Sequence, residues 1–203
     1  MRERVVQDPP VARYLFDNTA SSWIWLIVRV YLGWQWLQAG LHKVTDPAWM
    51  STGTALQGFW TRAVALPAPP AKPVITYGWY RGFLSMLLEG GHYTWFAKLV
   101  AVGEVIIGVA LILGFLTGFA AFFGALMNFN FMLAGTTSTN PVLFTLAVLL
   151  LMAWKVAGYW GVDRFLLPAL GTPWQRGAVA AEAGAPTRYR PDDQPDTKNR
   201  PKV

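Results

Sequence analysis

Polar positions are scarce through the middle of this chain, and their placement divides it into four apolar runs. The first, Ser22 to Leu41, contains one charged residue, Arg29. A helix of that length reaches about 30 Å, enough to cross a bilayer. From Leu99 to Met132 the chain is apolar apart from Glu104, Thr117, Asn128 and Asn130. As one straight helix this stretch would reach about 51 Å, well past the hydrocarbon thickness, so it must fold back. The natural break is Gly114-Phe115-Leu116-Thr117-Gly118, which leaves helices over 94–116 and 118–134. The last run, 141–160, follows the polar stretch Gly135 to Asn140. There Asn140 reads as an N-cap with Pro141 in the first helical position. The pattern predicts an all-α, integral membrane four-helix bundle with spans of about 22–41, 94–116, 118–134 and 141–160.

The connection 42–93 has a pattern of its own. Leu56, Phe59, Trp60 and Ala63 recur at helical spacing, as do Tyr80, Phe83, Leu84 and Leu87. Both stretches read as short interfacial helices, separated by a stiff proline-rich linker over 67–73. Residues 1–21 mix basic and acidic positions, and no small-residue cleavage site follows the first run, so that run is expected to stay as an anchor. The membrane domain is read as 22–168. Residues 169–203, rich in Pro, Ala, Asp and Arg, read as a disordered basic tail.

Composition supports a membrane protein and narrows its chemistry. Hydrophobic residues make up 54% and charged residues 14%, where globular proteins usually carry about 25% charged residues. Cysteine is absent, which excludes disulfides, iron–sulfur clusters, thiolate zinc sites and thiol nucleophiles. The net charge of +6 could suggest nucleic acid, but the basic residues gather at the two ends. Arg2, Arg4 and Arg13 precede the first run, seven Lys or Arg follow Trp160, and the two short hairpins have none. The positive-inside rule then puts both termini in the cytoplasm, with the chain in the inner membrane and the long connection facing outward. The bilayer, and not nucleic acid, is the expected partner.

Arg29, Glu104 and Lys155 fall within predicted spans, where each costs about 2.5–3.5 kcal/mol at mid-membrane unless it faces a partner or a wet cavity. Helical spacing puts Arg29 on the face of Gly33 and Gly40, Glu104 one turn from Gly108, and Asn128 on the face of Gly124. Arg29, Glu104 and Asn128 are therefore the candidate catalytic residues, a proton or ligand site in which Arg29 or Lys155 offsets the Glu104 charge. At the outer face two helix N-termini gather near Lys43, Arg81, Thr136, Thr137, Ser138 and Asn140, a candidate substrate-binding site for a small anion. Trp34 and Trp36 lie deep enough to sandwich a quinone ring. His42 and His92 flank the outer ends of the first two spans and complete the candidate cofactor-binding set. No metal-binding motif accompanies them, and no metal is expected.

Four of these pieces occur in a familiar order. Arg29 to Lys43, RVYLGWQWLQAGLHK, resembles the first-helix motif of the DoxX/DoxD membrane family. Gly103 to Gly108, GEVIIG, continuing to Leu113-Gly114, is similar to the family's second-helix signature. Asn128 to Gly135 with Ser138 to Pro141 looks like the DoxD-type third hairpin, and Gly158 to Arg164, GYWGVDR, resembles the closing motif. The resemblance covers about residues 23–168 and implies a four-helix membrane bundle. DoxD-type chains are the large subunit of thiosulfate:quinone oxidoreductase, which oxidises thiosulfate to tetrathionate and passes the electrons to quinone. The likeness thus implies a quinone-linked oxidoreductase subunit with a possible small partner subunit. The alternative reading is a non-catalytic membrane scaffold docking a larger redox or respiratory complex.

Overall fold

A computed structural model of the chain describes residues 8–171. The expected disordered tail therefore falls, from residue 172 on, outside the described residues. Contacts separate Met1–Leu166 from a short terminal unit that begins at Leu167. Among the described residues every regular element is helical. In chain order these are α1 (Pro10–Asp17), α2 (Ser22–Val44), α3 (Pro47–Met50), α4 (Thr54–Val64), α5 (Gly78–Glu89), α6 (Tyr93–Leu113), α7 (Thr117–Leu133), α8 (Asn140–Met152), α9 (Trp154–Ala157) and α10 (Asp163–Ala169).

Two tightly packed helix pairs form the centre, α2 with α6 and α7 with α8. The first pair is close because glycine meets backbone. A Cβ on Gly108 would lie 2.5 Å from the Leu37 amide nitrogen, and one on Gly33 would lie 2.9 Å from the Gly108 carbonyl. At Gly40 a Cβ would come within 2.6 Å of the Val105 nitrogen. Small residues at these positions let the two backbones approach, the expected use of glycine between apolar helices. Around this seam a core of Trp25, Leu32, Trp36, Ile107, Leu111, Ala121, Ala147 and Leu150 is buried.

The fold-back occurs where the sequence predicts it. Gly114 ends α6 with φ +67°, and Leu116 takes φ 45° immediately before α7 begins. The other boundaries differ from the sequence reading. Helix α8 is shorter than the predicted 141–160, because the chain leaves regular helix at Ala153 and resumes in the short α9. Asn140 is not the N-cap: Thr139 occupies that position, and the Asn140 amide donates to the Thr136 carbonyl instead. The loop thus uses Asn140 to close on itself.

One helix, α6, is both long and apolar enough to cross a membrane, while α7 and α8 are apolar but shorter. Helix α2 is long enough, but Arg29, Gln35, Gln38, His42 and Lys43 lower its hydropathy. The amphipathic stretches in the connection fold as predicted, into α4 and α5, but bury their apolar faces against protein. Leu56, Trp60, Ala63, Tyr80, Leu84 and Leu87 form a second core with Ile75, Ala97 and Ala134.

Because the α2–α6 seam has no spare volume, Gly108→Ala should destabilise the protein by about 1–3 kcal/mol, the usual cost of overpacking. Thermal unfolding in mild detergent checks this; a variant as stable as wild type would mean that the helices do not meet here.

Candidate functional site

Arg29 and Glu104 are both buried on the α2–α6 seam but sit far apart. Arg29 lies near the end where α6 turns into α7, and the other end of the bundle carries Lys43. Fourteen residues separate Arg29 from Lys43, about 21 Å along a helix. The partner of Glu104 is Lys43, with Nζ 2.5 Å from Oε2, and not Arg29 or Lys155. Lys155 instead pairs with Asp17 at 2.6 Å, at the exposed surface. The expected cluster of Arg29, Lys155 and Glu104 does not form.

The geometry of α2 explains the actual partner. Helical Cα–Cβ bonds tilt toward the N-terminus, so the Lys43 stem leans back along α2 toward Gly40. A Cβ on Gly40 would lie 3.0 Å from the Glu104 Cβ, so that turn brings the carboxylate against α2. The ammonium also stands 5.2 Å from the centre of the Trp49 ring. Side-chain exposure is 20% for Lys43 and 1% for Glu104, so the lysine keeps a wet edge and the acid does not.

Arg29 serves another structure. Its Nη2 donates to the Trp160 carbonyl at 3.1 Å, and its guanidinium packs against Gly114 and Gly161, where no side chain would fit. Asp163 is the acid whose charge acts on it. The Asp163 carboxylate accepts the backbone N–H groups of Leu116 at 2.6 Å and Thr117 at 2.8 Å, at the start of α7. The segment 158–164 therefore clasps the α6–α7 turn. Asp163 was missed by the sequence reading; its signal was the Gly158-x-x-Gly161-x-Asp163 spacing, for a Cβ on Gly158 would fall 2.4 Å from the Asp163 carboxylate.

Asn128 is fully buried, and both of its amide atoms lack a hydrogen-bond partner among the described residues. The indole nitrogen of Trp36 is in the same condition. Trp34 is 51% exposed and Trp36 only 3%, so the two rings point to different sides of α2 and form no sandwich. At the Lys43 end, Arg81 Nη1 donates to the Ile75 carbonyl at 3.3 Å, while Thr137 and Ser138 are exposed and Thr136 is half-buried. His42 is exposed, and His92 accepts from the Trp95 indole through Nδ1 at 3.2 Å. Neither histidine is part of a built cofactor pocket.

The sequence did not reveal the principal cavity, a partly open cleft of about 570 Å³ bounded by α4, α5, α6 and α7. Its walls are apolar from Phe96 and Leu99 to Phe119 and Phe123, and no charged residue lines it. Its polar groups are Tyr80 and Asn130. The Tyr80 hydroxyl lies 3.1 Å from the Asn130 carbonyl, which accepts from it, and 3.2 Å from Oδ1 of the same residue. The Asn130 amide nitrogen donates to Leu126. Burial pushes the Tyr80 phenol up to about 12, so this end of the cleft is neutral at any physiological pH.

Apolar residues on the outward faces of α6 and α7, Leu99, Ile106, Phe119, Phe122 and Phe123 among them, are exposed in the isolated chain. An apolar helical hairpin with such a surface, around a buried ion pair, defines a membrane-associated helical protein. The chain belongs to the DoxX family, whose family model matches residues 24–137. The matched region contains Arg29, Lys43, Glu104, Asn128 and the walls of the cleft, while the Asp163 clasp lies beyond it. No solved structure matches the chain.

Two predictions follow from this geometry. Lys43→Met strands a carboxylate that cannot reach water, and losing one partner of a buried pair costs about 3–5 kcal/mol. Glu104→Gln should cost less, since Lys43 can swing into solvent; equal losses in thermal denaturation would contradict the asymmetry. Tyr80 gives the second. With its folded value above the ordinary value of 10, its stabilising contribution is complete below that pH and is lost as pH rises through about 12. In a tyrosinate absorbance titration, Tyr80→Phe should remove the latest-ionising component and leave the earlier ones.

Proposed function

We propose that the chain is the membrane subunit of a quinone-linked oxidoreductase in the inner membrane, with four spans (α2, α6, α7, and α8 continued by α9) and both termini cytoplasmic. The observation that carries this reading is the α4–α7 cleft. A quinone presents a neutral ring with two carbonyl acceptors and a long apolar tail. The cleft offers the matching combination: uncharged apolar walls and, among its polar groups, a phenol hydroxyl able to donate to a carbonyl. A phospholipid would bring a phosphate to a place without a cation. This location replaces the Trp34–Trp36 sandwich as the proposed quinone site. The distribution of Lys and Arg supports the orientation.

Thiosulfate is the electron donor in this reading, supported by the likeness to DoxD-type chains at Asn128 to Gly135 and Ser138 to Pro141. Two thiosulfates join through a new sulfur–sulfur bond and release two electrons. Quinone accepts those electrons together with two protons and leaves as quinol. The anion would meet the Lys43 end, where Arg81 and Lys98 bring positive charge beside the hydroxyls of Thr137 and Ser138. Lys43 adds little free charge there, because Glu104 neutralises it.

The test is quinone binding and thiosulfate-dependent quinone reduction by the chain in nanodiscs, with a short-tailed ubiquinone analogue. Tyr80→Phe should weaken binding about five- to tenfold, the worth of one hydrogen bond. Gly103→Leu should block the cleft, since a Cβ there finds nothing nearer than the Met127 sulfur at 3.9 Å and so has room to project inward. Unchanged affinity in both variants, or no binding to wild type, removes the cleft from the proposal. Binding without turnover would leave a quinone-holding subunit that needs a partner for the sulfur chemistry.

A further inference from the structure

The buried polar atoms of Trp36 and Asn128 have no role in the cleft, the ion pair or the Asp163 clasp. Both are in the middle of the bundle, on helices that face each other. Trp36 Nε1 would lie 3.1 Å from a Cβ on Gly124, so the indole N–H is laid against α7 at a residue without a side chain. Asn128 follows Gly124 by one turn, and side chains on a helix lean toward its N-terminus. The carboxamide is thus directed back over the Gly124 position that Trp36 approaches. Neither group has a partner among the described residues. Leaving such groups unpaired costs about 1–3 kcal/mol each, and buried polar sites of this kind characteristically hold ordered water.

The surroundings of this pair connect two features already described. On α2, Gly40 lies one turn beyond Trp36 and abuts Glu104; on α7, Asn128 lies one turn beyond Gly124. Glu104 and Asn128 therefore stand at about the same depth. Ile107, whose Cγ2 would be 3.5 Å from a Gly124 Cβ, is also a wall of the cleft. One layer of side chain separates the two.

We propose that Trp36, Asn128 and the gap at Gly124 hold an internal water that relays protons between the Lys43–Glu104 pair and the cleft. Lys43, with its wet edge, is the contact with bulk solvent. Glu104 holds the proton in transit, and the water passes it past Ile107. Each transfer moves one proton and leaves one behind to be replaced from solvent, so no oxidant or reductant is required. The destination rests on the quinone reading, because quinone reduction consumes two protons; the water site does not.

The experiment is nitrogen-15 NMR of the tryptophan indoles in nanodiscs, with Trp36 assigned by its loss in Trp36→Phe and water contact read by magnetisation transfer. Wild type should show a water contact at the Trp36 indole, and Asn128→Leu should abolish it. Should Asn128→Leu fail to fold, Gly124→Ala, which puts a methyl into the gap, must abolish it with Asn128 intact. Thermal melting gives a second readout: if the amide were dry and unpaired, Asn128→Leu would raise the melting temperature, whereas loss of a bound water lowers it. No water contact in folded wild type, or a stabilised Asn128→Leu, overturns the inference. In the quinone assay Asn128→Leu should slow reduction several-fold with unchanged quinone affinity; an unchanged rate overturns the relay. Failure of wild type to bind quinone overturns the functional reading and the destination of the protons, while the water contact still decides the site.

Discussion

Everything in this bundle depends on how closely α2 approaches α6. Gly33, Gly40 and Gly108 allow contacts that a single methyl group would forbid. Close approach does more than add dispersion. It brings the Glu104 carboxylate against the turn of α2 from which Lys43 reaches back, and so makes a buried charge tolerable. In a medium poor in water an acid without a cation would be protonated or excluded. The glycines and the ion pair are therefore one device. If the helices were moved apart by the width of a side chain, the lysine would turn to solvent and leave the carboxylate alone.

The second helix pair is held differently, and that difference creates the cleft. Helix α7 follows α6 after only a three-residue turn, yet its main packing partner is α8. The Asp163 carboxylate fixes the start of α7 by accepting its first free N–H groups, where an anion is favoured by both hydrogen bonding and the helix dipole. Arg29 ties the same clasp to α2 through Trp160. With that end pinned, the Tyr80 hydroxyl links α5 to α7 across the top of the gap. The cleft is what lies between these two attachments, roofed by α4 and α5 and not filled by them.

Much of this was legible in the sequence, and the legible part has a physical pattern. Periodicity and glycine placement found the fold-back at Gly114, the amphipathic faces of α4 and α5, and the seam through Gly33, Gly40 and Gly108. These are local signals, repeated over several turns. The burial of Arg29, Glu104 and Asn128 was also legible, because a polar residue within an apolar run must face inward. Their partners were not. Lys43 was assigned to the surface from its place at the end of a run, whereas a lysine stem reaches a full turn back along its own helix. Trp34 and Trp36 looked equivalent by depth, but two residues turn a helix by more than half a revolution, so one ring is buried and its neighbour exposed. The cleft had no signal at all, since it arises from the separation of two helices that are adjacent in the sequence.

The polar residues left in the interior form a series that runs along the bundle and not across it. At one end Arg29 and Asp163 spend their charges on backbone groups and hold a turn. At the other, Lys43 and Glu104 spend theirs on each other, with one member at the edge of solvent. Between them Trp36 and Asn128 carry no charge and have no partner. A dry bundle built only for stability would place apolar side chains there, since replacing unsatisfied polar groups with apolar ones of similar size is neutral or favourable. Amide and indole hydrogen-bonding groups at mid-depth, beside the wall of an uncharged cleft, are explained by something that passes through or binds there. Chemistry, and not the stability of the fold, accounts for the polar middle of this protein.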